Sequence, residues 1–72
     1  AYDWKGAMDL WMTFLSTNDL LRRSCAAYNI ATACYMLGEY DLALEWLDLS
    51  DKDNKLPYSD GLRKRITERR AL

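Results

Sequence analysis

The stretch AAYNIATACYMLGEYDLALEW, residues 26–46, sets two apolar, alanine-rich segments back to back around Gly38. Before the glycine, Ile30, Ala33, Cys34 and Leu37 recur at spacings of three and four. After it, Tyr40, Ala43, Leu44, Trp46 and Leu47 do the same. Such spacing marks helices with an apolar face. Glycine closes a helix well because it takes the left-handed backbone conformation with no β-carbon penalty. A link of about two residues obliges the two helices to lie antiparallel. The small residues Ala27, Ala31 and Ala43 would let helices cross closely.

Residues 3–15 read as a helix before this hairpin, with Trp4, Ala7, Met8, Trp11, Met12 and Leu15 on one face and Asp3 as its N-cap. Residues 16–19, STND, break it, because such side chains compete for backbone hydrogen bonds. The second helix starts at Asp19 or Leu20 and runs to Leu37. It is apolar on more than one stripe, so neighbours pack on two of its sides. Arg22 and Arg23 lie near its start, where the helix dipole disfavours cations, and are read as facing solvent. The third helix spans 40–49 or 40–50, with a polar loop at 50–55. A fourth follows Pro57: Tyr58, Leu62, Ile66 and Leu72 make one apolar stripe, and Arg63, Lys64, Arg65, Arg69 and Arg70 lie elsewhere.

With 72 residues the chain holds one domain. No run of eighteen apolar residues occurs, so no membrane-spanning helix is expected. A net charge of −1 exerts no overall pull toward nucleic acid or an anionic membrane. Histidine is absent, which removes His-based triads, bases and metal ligands. Cys25 and Cys34, on one helix, would stand about 13.5 Å apart along its axis. A disulfide needs Cα atoms within about 7 Å, so both are read as buried structural thiols.

Slid by 36 residues, WKGAMDLW (residues 4–11) falls on YDLALEWL (residues 40–47). Trp4 meets Tyr40, Ala7 meets Ala43, Met8 meets Leu44, Leu10 meets Trp46 and Trp11 meets Leu47. A fixed period in this range marks stacked helix pairs. AAYNIATACYMLGEYDLALEWLDLS resembles a tetratricopeptide (TPR) repeat. Tyr28, Asn29, Ile30 and Ala31 stand for the first helix of such a repeat, Gly38 for its turn, and Tyr40, Ala43, Leu44 and Leu47 for its second helix. The proline that often closes the repeat comes late, at Pro57, and Cys34 stands where the family usually has an aromatic. Residues 4–15 then look like the second helix of a preceding repeat. More narrowly, WKGAMDLW, AAYNIA, YDLALEW and YSDGLRKR resemble, in this order, the C-terminal region of an uncharacterised Bacteroidetes family of TPR-containing, lipoprotein-like cell-envelope proteins. That resemblance implies a lipid-anchored parent protein in the cell envelope and no known chemistry.

Three groups of residues could carry function, each beside a plainer reading. Six acids lie between Glu39 and Asp53 with Lys52 as the only cation; a calcium loop would need a glycine and a spaced terminal Glu that are missing, so a solvated face is expected. GLRKRITERR carries five cations, an invitation to nucleic acid or phosphate. Dipole complementation, or pairing with the acidic third helix, is the plainer reading, and with chain-wide charge near zero and no stacking aromatics between the basic residues no nucleic acid is expected. Tyr28, Asn29, Thr32, Tyr35 and Met36 form the candidate partner-binding set, because a TPR-like stack lines its inner face with the first helix of each pair. Against this, Tyr28 and Tyr35 read as half-buried packing residues.

The expected fold is all-α: four antiparallel helices in a short right-handed TPR-like stack. The expected function is protein or peptide interaction, or structural support within a larger chain, with no catalytic activity and no cofactor. The alternative is nucleic-acid or phosphate binding through the basic fourth helix. Trp4, Met8, Trp11, Met12 and Phe14 are more than one neighbour can bury, so an upstream segment or self-association is expected there.

Overall fold

Asp19 opens the longest helix. Its Oδ1 accepts hydrogen bonds from the backbone amides of Leu21 (3.1 Å) and Arg22 (3.2 Å), donors with no partner inside the helix. The computed structural model describes residues 3–72. Among them are four α-helices: α1 (Trp4–Met12), α2 (Leu20–Met36), α3 (Tyr40–Asp53) and α4 (Ser59–Arg70), with a 3-10 turn at Thr13–Ser16 after α1. The described residues contain no strand, and the fold is all-α.

Gly38 closes α2 as expected, with φ at 83°. The Gly38 amide donates to the Tyr35 carbonyl at 3.1 Å and the Glu39 amide to the Cys34 carbonyl at 2.9 Å. This is the Schellman arrangement, which satisfies the carbonyls a helix end would leave bare. Side-chain contacts fix the helix directions. Arg23 and Ser24, early in α2, meet Asp53 and Ser50, late in α3. Asp51 meets Arg63 while Asp41 meets Arg70, so α3 and α4 also run opposite ways. Trp11 lies beside Cys25 and Met8 beside Cys34, which makes α1 antiparallel to α2.

The core is Ile30, Ala31 and Cys34 from α2, Ala43 and Leu47 from α3, and Leu62 and Ile66 from α4. Ala27, Ala31 and Ala43 are all buried, so the small residues do stand where helices approach. From the N-terminal side Met8, Trp11 and Leu15 pack against this core, and they are half-buried. No residue of α1 is fully buried.

Several sequence expectations are corrected. α1 stops at Met12, because the Thr13 hydroxyl bonds back to the Leu10 carbonyl at 2.6 Å and the chain tightens into the 3-10 turn. α3 runs on to Asp53, so most of the expected polar loop is helix. Ser50 is held there: its hydroxyl donates to the Ser24 carbonyl (3.0 Å) and lies 3.0 Å from the Ser24 hydroxyl, which also reaches the Asn54 carbonyl at 2.6 Å. Arg23 does not face solvent but grips Asp53 with two bonds of 2.8 and 2.9 Å. Asp51 and Asp53 are accordingly part-buried rather than solvated. Cys25 is only half-buried, whereas Cys34 is buried, and both are free thiols. Tyr58 precedes α4 and is half exposed, and Leu72, at 98% exposure, packs on nothing.

Candidate functional site

α2 is shared among its neighbours by helical geometry. Ser24, Ala27, Ala31 and Cys34 are buried on one side, Ala26, Ile30 and Ala33 on another. What remains open is the stripe Leu21, Cys25, Asn29, Thr32 and Met36, spaced by four, four, three and four residues. Leu21 and Met36 at its ends are exposed; the three between are half-buried.

The five sequence-predicted residues all border this stripe but do not converge on one site. Asn29 lines a groove of about 270 Å³ between α1 and α2, with Trp11, Phe14, Arg22, Cys25 and Ala26. Tyr35 and Met36 line a second groove, about 370 Å³, at the Gly38 end, with Leu37, Tyr40 and Arg69. There the Tyr35 and Tyr40 rings lie 6.0 Å apart, and the neighbouring Tyr40 hydroxyl strengthens the hold of Arg69 on its proton. Tyr28 lines neither groove. Its ring meets that of Tyr58 nearly edge-on, with centroids 4.8 Å apart. Burial, with the Cys25 thiol alongside, pushes the Tyr58 hydroxyl up from its ordinary pKa. The Thr32 hydroxyl donates to the Tyr28 carbonyl at 3.1 Å, so it is satisfied within its own helix.

Sequence reasoning missed Arg22 and Cys25 as groove residues, and Arg69 and Tyr40 at the other end. The signal for Cys25 was available in its register with Asn29, Thr32 and Met36. For Arg22 the signal was its position: a cation in the first turn of a helix is unfavourable there and needs another reason to be present.

Charge is arranged along the α3–α4 seam. Arg63 reaches Asp48 at 2.8 Å and Asp51 at 2.9 Å, and Arg70 reaches Asp41 at 2.7 Å. Burial would raise the Asp51 carboxyl, but hydrogen bonds from Ser59 and Arg63 outweigh it and hold it below its ordinary range. The bond from Arg23 lowers Asp53 in the same way. Among the described residues no three His, Cys, Asp or Glu side chains are grouped so as to hold a metal ion, and no helix is long and apolar enough to cross a membrane.

The profile of one family, described as a domain of unknown function (DUF6340), matches residues 1–69. The chain belongs to the DUF6340 family. No curated protein and no solved structure matches it. Of the two grooves in this DUF6340 chain, the one between α1 and α2 joins apolar walls, Trp11 and Phe14, to polar rim groups, Arg22 and Asn29. Leu10, the residue before Trp11 on α1, is 61% exposed.

Proposed function

We propose that this DUF6340 domain is a non-catalytic helical-repeat module that holds a segment of another polypeptide against the α1–α2 groove. The observation that carries the reading is the groove itself: Trp11 and Phe14 opposite Arg22 and Asn29, on the open stripe of α2. Apolar walls bury side chains, and a few polar groups on the rim fix their register. The 36-residue offset between the starts of α1 and α3, and the alternating helix directions, support a TPR-like origin for this surface.

Nucleic acid on α4 is the weaker reading. Arg63 and Arg70 are engaged by α3 carboxylates and Arg69 lies against Tyr40, which leaves Lys64 and Arg65 as the cations of that helix with no partner among the described residues. Two cations with no stacking aromatic between them make a poor footprint for a phosphate backbone.

A titration of ¹⁵N-labelled protein tests this. The ligands are a panel of helical and extended peptides, nucleotides and a short RNA. Peptides are expected to move the amide signals of Trp11, Phe14, Cys25 and Asn29. Shifts confined to Lys64 and Arg65 on adding RNA, with no peptide acting on the groove, would refute the reading.

A further inference from the structure

The chain contains a template for what sits on α1. A shift of 36 residues carries α1 onto α3 and the body of α2 onto α4. α3 is covered on two sides. Toward α4 it presents Asp41, Asp48 and Asp51, each in an ion pair. Toward α2 it presents Ala43 and Ser50, both 0% exposed, and Asp53, which holds Arg23.

α1 is covered on one side. Met8 and Leu15, the counterparts of Leu44 and Asp51, pack inward. Ala7 and Leu10 on α1, and Phe14 in the 3-10 turn after it, are the counterparts of Ala43, Trp46 and Ser50, and Ala7 and Leu10 lie about 60° apart on one flank of α1. Leu10 is 61% and Phe14 41% exposed. So α1 repeats the face on which α2 rests on α3, and repeats it in apolar residues.

α2 shows what such a face accepts. It lays a stripe of small residues, Ser24, Ala27, Ala31 and Cys34, along α3, and it sends Tyr28 to the ring of Tyr58. The counterpart of Tyr58 is Arg22, which lines the groove and forms no ion pair among the described residues. A helix seated on α1 as α2 is on α3 would therefore point one side chain at a guanidinium, and charge complementarity makes that side chain acidic.

Resting on the reading of the groove as a polypeptide site, we infer that its ligand is an amphipathic α-helix of a partner protein. It lies antiparallel to α1, sets a stripe of Ala or Ser residues against Ala7, Leu10 and Phe14, and carries a carboxylate that reaches Arg22.

The probe is a synthetic peptide with the sequence of residues 20–36, carrying Cys25→Ser, Cys34→Ser and Tyr28→Glu. A second peptide keeps Tyr28, and a third adds Ile30→Pro to break the helix. Titrated into ¹⁵N-labelled protein, the first should move the amides of Ala7, Leu10, Phe14 and Arg22. It should bind at least tenfold more tightly than the proline peptide. The protein variant Arg22→Glu should weaken the Glu peptide several-fold more than the Tyr peptide, and Leu10→Asp, at an exposed position, should weaken both while leaving the α3 and α4 signals in place. Equal binding of the proline peptide overturns the helical ligand and leaves the broader polypeptide reading standing. Shifts at Ala43 and Ser50, which would mean that α2 itself had been displaced, also overturn it. So does binding of neither helical peptide at millimolar concentration. A concentration-dependent dimer that Leu10→Asp abolishes, and that excludes the peptides, overturns it in favour of a second copy of the chain.

Discussion

Replacing Gly38 by L-alanine and, separately, by D-alanine isolates backbone strain at the α2–α3 turn from packing. An L-side β-carbon placed on Gly38 meets no atom within 4 Å, so L-alanine introduces no clash, and the position is exposed. The remaining cost is dihedral, because φ is +83°. For an L-residue the left-handed region costs about 1–2 kcal/mol. A less flexible unfolded chain returns about 0.4–1 kcal/mol. L-alanine should therefore destabilise by about 1 kcal/mol, lowering the melting temperature by roughly 4–8 °C in a domain of this size. D-alanine favours this region, escapes the dihedral cost and keeps the entropic gain, so it should stabilise by about 0.4–1 kcal/mol. Cys34 lies four residues before Gly38, which allows the D-variant to be assembled by ligating a synthetic fragment at that thiol. Urea and thermal melts followed by circular dichroism read both values. If D-alanine destabilises as much as L-alanine, the turn is not left-handed and the Schellman account fails.

Ala31→Leu should overpack the α2–α3–α4 junction, where Ala31 is fully buried, and cost about 1–3 kcal/mol in the same melts. The Arg23 bond lowers Asp53; Asp51, raised by burial, is lowered further by Ser59 and Arg63. A depressed carboxyl contributes stability above its unfolded pKa of about 3.9 and loses it as pH falls through the lower folded value. The melting temperature should thus hold from neutrality to roughly pH 5 and drop below roughly pH 4, with a shallower drop in Asp53→Asn. Burial, with Glu39 near by, pushes the Cys34 thiol up, whereas Cys25 is half-buried. A thiol reagent on folded protein should label Cys25 first and Cys34 only at the rate of unfolding.

Local chemistry was legible in the sequence where it decided the outcome alone. Asp19 caps α2 and Gly38 ends it because each acts on its own neighbours. Ser50 was misread because serine followed by Asp-Lys-Asp looks like a loop. Its helical state depends on Ser24, 26 residues earlier in the chain. The same holds for Arg23, an unfavourable cation in the first turn of α2 until Asp53, 30 residues on, is brought alongside. The candidate site divided for a related reason. Tyr28, Asn29, Thr32, Tyr35 and Met36 share a helix, but Tyr28 is taken up by the ring of Tyr58, while Asn29 faces α1 and Tyr35 and Met36 face the Gly38 turn and Arg69. That placement follows from how α4 docks on α3, which no single helix encodes.

α1 holds its position without one fully buried side chain. Its amides should open by detachment of the helix alone, at a free energy below that of unfolding the three helices behind it. Ligand binding then has a thermodynamic meaning beyond contact. A partner that grips only the docked form adds RT ln(1 + [L]/Kd) to the cost of detachment, about 2.7 kcal/mol at a hundredfold excess over Kd. An outermost helix becomes an interior one, and the weakest cooperative unit of the domain is raised toward the strength of the rest. In this protein occupancy and order would be two measures of the same equilibrium.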